Sequence, residues 1–83
     1  MNIPNEYKKI VNNIANMNLG AEKKATEIYN NYHQFCTDDI DAFFMGKFII
    51  TEIINELKFN SGHPDRIRFW ILVLDFYLLK YKI

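Results

Sequence analysis

Over residues 67–83 the chain places large apolar side chains at spacings that no one-sided helix can satisfy. Wound at about 100° per residue, Ile67, Ile71, Leu74, Leu78 and Tyr81 fall on one stripe, with Trp70 and Tyr77 beside it. Phe69, Leu72, Phe76, Leu79 and Ile83 fall on a second stripe, and Arg68, Asp75 and Lys82 form a thin polar seam on one flank between them. A helix with two apolar sides must bury both. The last helix therefore needs other elements around it, or another chain.

The preceding segment repeats the difficulty. A helix over residues 38–59 gathers Ala42, Phe43, Ile49, Ile50, Ile53, Ile54 and Leu57 on one arc. Ile40, Phe44, Met45 and Phe48 fall outside that arc, on the side that later carries Thr51, Asn55 and Lys58. The first half of the chain is one-sided, with Tyr7, Ile10, Val11, Ile14 and Met17 at helical spacing and then Ala21, Ala25, Ile28, Tyr29, Tyr32, Phe35 and Cys36. Such segments suit the outside of a bundle.

Local signals punctuate these segments. Pro4 and Pro64 suit the first turn of a helix, where the missing N–H is not needed. Asn18-Leu19-Gly20 reads as a break, with Gly20 supplying a left-handed stop. Thr37 and Asp38 are N-cap types, and Asp38 with Asp41 resembles a capping pair. Asn60-Ser61-Gly62-His63-Pro64 is the clearest turn. Gly46 lies inside a helix, where it is ~1 kcal/mol worse than alanine. No segment alternates at period two, so no sheet is expected. The prediction is a single all-α domain over residues 1–83, a small bundle of about four helices at roughly 4–18, 20–36, 38–59 and 64–82.

Ten Lys/Arg against ten Asp/Glu leave no net charge to attract nucleic acid or acidic lipid. The pairs Lys8-Lys9 and Lys23-Lys24 are flanked by Glu6, Glu22 and Glu27 and read as solvated faces. The longest apolar stretch, residues 69–79, is interrupted by Asp75 and covers only ~16 Å as helix, about half a bilayer core. No nucleic-acid or membrane partner is expected. The N-terminus lacks the apolar core of a secretion signal, and Cys36, the single cysteine, has no internal partner, so the cytoplasm is the expected location.

Candidate chemistry is sparse. His33 and Cys36 lie one helical turn apart, yet a structural zinc site wants four such ligands and the chain has three Cys and His in all. A polar histidine beside a small buried thiol is the expectation. Asp38, Asp39 and Asp41 do not follow the calcium-loop pattern, because Phe43 stands where an oxygen ligand is needed. Capping and the helix dipole explain them, or an acidic patch for a basic partner. His63, Arg66 and Arg68 surround a helix start suited to an anion, but Asp65 offsets their charge and favours a local cap with ion pairs. No triad, phosphate-gripping glycine loop or zinc-protease motif is present. The chain is therefore expected to be non-enzymatic, with no catalytic, metal or cofactor site.

The surplus apolar face carries the functional expectation. A domain of 83 residues gains only ~3–5 kcal/mol from one core, so association is a natural source of stability. One helix running through the centre of the bundle would explain a doubled face equally well. Otherwise Phe44 and Phe48 of the third helix, with Phe69, Leu72, Phe76, Leu79 and Ile83 of the fourth, form a partner-binding surface. The partner is then another protein, the chain acting as an inhibitor, immunity protein or adaptor would, or a twin in a homodimer of structural or regulatory role.

Overall fold

Three helices, α1 (Asn5–Phe35), α2 (Asp39–Asn60) and α3 (Pro64–Tyr81), make up the computed structural model. It describes residues 5–60 and 64–82, without the side chains at 5–7, 10, 11 and 14. The expected apolar stripe of Tyr7, Ile10, Val11 and Ile14, and the residues Pro4, His63 and Ile83, lie outside the described side chains. The described residues contain no strand, and none of their helices is long and apolar enough to cross a membrane.

Among the described residues the count of four helices is corrected to three, because the first two expected helices are one element of 31 residues. Gly20 does not adopt the left-handed conformation of a helix stop. The stripe also crosses it without a change of phase: Met17, Ala21, Ala25, Ile28 and Tyr32 are spaced four, four, three and four. What occupies the space above Gly20 is α3. A methyl built there would lie 3.5 Å from Phe69 Cε2, an ordinary contact.

The turn between α1 and α2 is built by capping. The Cys36 N–H still donates to the Tyr32 carbonyl (3.0 Å), closing the end of α1. Two residues later the Asp38 carboxylate accepts from the Ile40 N–H (2.7 Å), and its carbonyl accepts from the Ala42 N–H (3.1 Å). Asp38 is thus the N-cap of α2, and Asp39 and Asp41 occupy the first turn, at the positive end of the helix.

The buried core draws on all three elements: Ala21, Ala25 and Ile28 from α1, Ala42, Phe43, Ile50 and Ile54 from α2, and Val73 and Tyr77 from α3. Gly20 approaches Phe69, Tyr29 stacks on Tyr81, and Lys80 Nζ donates to Thr26 Oγ1 (3.1 Å), so α1 and α3 run parallel. Phe43 meets Tyr77 while Ile49 and Ile53 share a groove with Trp70, so α2 runs antiparallel to both. The bundle is up-down-up.

Within α3 the buried line is Val73 and Tyr77, which lies between the two expected stripes rather than on either. The stripes are the two shoulders of one wide arc. One shoulder sends Phe69 towards α1, and Tyr77 at the centre reaches α2. Arg68, Asp75 and Lys82 face solvent on the far side.

Candidate functional site

Ala42, Gly46, Ile50 and Ile54 commit one side of α2 to the core. Phe44 and Phe48 point about 150° away from that line, and are 57% and 58% exposed. Ile40 and Met45 flank them, 47% and 46% exposed. Four large apolar side chains therefore occupy two turns of outward-facing helix, over a core that is complete without them.

The base beneath this patch is tied to α3 by hydrogen bonds and ring contacts. The Tyr77 hydroxyl donates to the carbonyls of Phe43 (2.9 Å) and Ala42 (3.2 Å), and the side chain is fully buried. Burial pushes that hydroxyl well above the usual tyrosine range, with Tyr29 and Tyr81 adding to the shift. The Tyr77 ring stacks on Phe43 (centroids 5.5 Å apart, 16° between planes), and Phe43 meets Phe44 edge-on at 5.4 Å. The sequence Tyr77, Phe43, Phe44 thus runs from the centre of the protein to its surface.

At its N-terminal end the patch opens into a groove of about 570 Å³, lined by Tyr32, Phe35, Cys36, Asp41, Phe44 and Met45. Phe35, the last residue of α1, is 82% exposed at its rim. Tyr32 and Phe35 also wall a second hollow, about 430 Å³, that continues between α1 and α2 past Ile28 and Ile49 to Trp70. The corner is held by His33, whose Nε2 lies 2.7 Å from Asp39 Oδ1, and by Tyr29, stacked on Tyr81 at 3.9 Å. Partial burial, then the Asp39 charge, raises the Tyr29 hydroxyl.

Of the residues expected to meet a partner, Phe44 and Phe48 lie together on the open side of α2. Leu79 is 84% exposed but stands alone, about 200° around α3 from Tyr77. Phe69, Leu72 and Phe76 are half-buried and packed against the core. Ile83 lies outside the described residues. Sequence reasoning did not include Phe35, Ile40 and Met45. The last two carried a usable signal, being off the core arc beside Phe44 and Phe48, whereas Phe35 belonged by spacing to a core stripe and nothing in the sequence marked it as exposed.

The polar candidates are occupied locally. Asp38 caps α2, Asp39 bonds His33, and Cys36 is half-buried in the groove wall. Asp65, Arg66 and Arg68 are exposed on the first turns of α3. Among the described residues no three His, Cys, Asp or Glu side chains gather in a way that would hold a metal ion. The chain matches no protein-family model, no curated protein and no solved structure.

Proposed function

We propose that this chain is a small protein-interaction module that works by binding rather than by catalysis, and that α2 carries its docking face. The observation behind this reading is the cluster of Ile40, Phe44, Met45 and Phe48, exposed together on two turns of α2 while the core is filled by other residues. Contiguous apolar surface of this kind is the usual mark of an association site, and aromatic side chains supply most of the affinity at such sites. Leu79 of α3 is a second, separate contact point. Small inhibitors, immunity proteins and adaptors act in this way. A lone cysteine suits a reducing compartment such as the cytoplasm.

The reading is tested by immobilising the wild-type chain and a Phe44→Lys/Phe48→Lys variant and comparing what each retains from the native cells. Both positions are exposed, so the two proteins should show the same helical circular dichroism. Retention of a protein by the wild type and its loss with the variant is the expected result. Identical retention by both would remove α2 as the docking face.

A further inference from the structure

We propose that the occupant of the α2 face is a second copy of this chain, paired parallel and in register through Phe44 and Phe48. The inference rests on the reading of α2 as a docking face and names its partner. Along the open side of α2, Asp41, Phe44, Phe48, Thr51, Asn55 and Lys58 are spaced three, four, three, four and three. That is the seam spacing of a two-stranded coiled coil. Phe44 and Phe48 lie on the side of α2 opposite its buried line and are more than half exposed, so this side is open to a second helix.

The flanks of this seam decide the direction of pairing. In a parallel pair the residue just before one seam position faces the residue five further along in the copy, on the opposite flank. Applied here, Ile40 faces Met45 of the copy, and Lys47 faces Glu52 of the copy, each contact occurring twice. The rule thus joins the two remaining exposed apolar residues of the patch to each other, and a cation to an anion. Lys47 and Glu52 are exposed and neither enters an intrachain ion pair among the described residues. An antiparallel pair sets like flank against like flank and loses the Lys47–Glu52 match.

Size is consistent with an association of modest strength. Ile40, Phe44, Met45 and Phe48 present 47%, 57%, 46% and 58% of their surface. At ~200 Å² for a large side chain, the four expose roughly 400 Å² per chain. Specific interfaces begin near about 600 Å² per partner, and the stems of Lys47, Glu52 and the seam polar residues can supply the difference. Asn55 at a seam position is of the type that fixes register by bonding its own copy. Asp41 and Lys58 would each meet an identical charge, which confines close contact to the turns between them.

Sedimentation equilibrium of the full chain, up to several hundred micromolar, tests the proposal with Lys47→Glu, Glu52→Lys and the double exchange. The expected result is a wild-type dimer, each single variant dissociating roughly three- to tenfold more readily, and the double exchange restored towards wild type. Restoration is the reading that separates this geometry from others, since only residues that face each other across the copies rescue one another. A wild type that stays monomeric overturns the pairing, as does a dimer indifferent to the single changes or not rescued by the double one. A monomer whose capture of another protein still depends on Phe44 and Phe48 would refute self-pairing alone. Loss of both would refute the docking face itself.

Discussion

Tyr77 enters α2 where Gly46 leaves no side chain, and the two residues explain each other. A methyl on Gly46 would overlap the Tyr77 hydroxyl and lie 2.6 Å from Cζ, so glycine is retained in mid-helix despite its poor propensity. Gly46→Ala gains about 1 kcal/mol of helix propensity, but overpacking at the upper end of the usual range of about 1–3 kcal/mol outweighs it, for a net loss of up to about 2 kcal/mol. Tyr77→Phe removes the donor to the Ala42 and Phe43 carbonyls and costs about 1 kcal/mol. Because it also removes the atom nearest the new methyl, the double variant should lose less than the sum, measured by urea unfolding. Strict additivity would mean that Tyr77 does not sit over Gly46. The same hydroxyl gives a pH dependence. Burial raises its pKa in the fold above the ordinary tyrosine value, so the folded state holds its proton more tightly than the unfolded chain. Below pH 10 both states are protonated and nothing changes; above it the unfolded chain ionises first and stability falls. Tyr29, also raised, acts in the same direction. The thermal midpoint should hold steady to about pH 9 and decline above pH 10, less steeply in Tyr77→Phe. An equal decline in both would remove Tyr77 as the source.

At the scale of the helix, α1 and α2 hold two different kinds of glycine. Gly46 is required by a side chain standing on it, whereas Gly20 has helical backbone and room for a methyl at 3.5 Å from Phe69. Gly20→Ala should therefore stabilise the protein by about 0.5–1 kcal/mol, the opposite sign from Gly46→Ala. A destabilised Gly20→Ala protein would instead restore a helix stop at that position. The signals that the sequence stated clearly here were local ones. Asp38 caps α2 and Pro64 opens α3, because an N-cap bond or a missing N–H involves only the next few residues. Gly20 misled because a glycine ends a helix only if the chain has reason to turn there. The in-phase run from Met17 to Tyr32 was the longer-range signal that it does not. Gly46 was legible as an anomaly, but its reason lay 31 residues away in Tyr77, beyond any window of spacing.

For the molecule as a whole, the question is how the apolar surplus of α2 and α3 divides between core and surface. The sequence showed that α3 needed cover on two sides, but not how far its neighbours could reach. Counting large side chains undervalued α1, whose Gly20, Ala21 and Ala25 allow α3 to come close. Phe69, Leu72 and Phe76 are packed against the core in consequence, and what remains exposed among the described residues of these two helices is the outer face of α2, Phe59 near its end, and Ile71 and Leu79 of α3. The division has a direct test in lysine substitutions. At Leu72 and Phe76 a lysine replaces packed apolar surface and brings a charge to the core margin, at a loss of about 2–4 kcal/mol. A domain of 83 residues has only ~3–5 kcal/mol to lose, so Leu72→Lys and Phe76→Lys should unfold in very little urea or be unfolded outright. Phe48→Lys and Leu79→Lys change side chains that are 58% and 84% exposed, so each should stay within about 0.5 kcal/mol of the parent once the protein is monomeric. Circular dichroism through a urea titration reads all four. Tolerance at Leu72 and Phe76 would place that shoulder of α3 outside the core and return it to the surface open to a partner, because a lysine there can be accommodated only if the core residues do not pack over it.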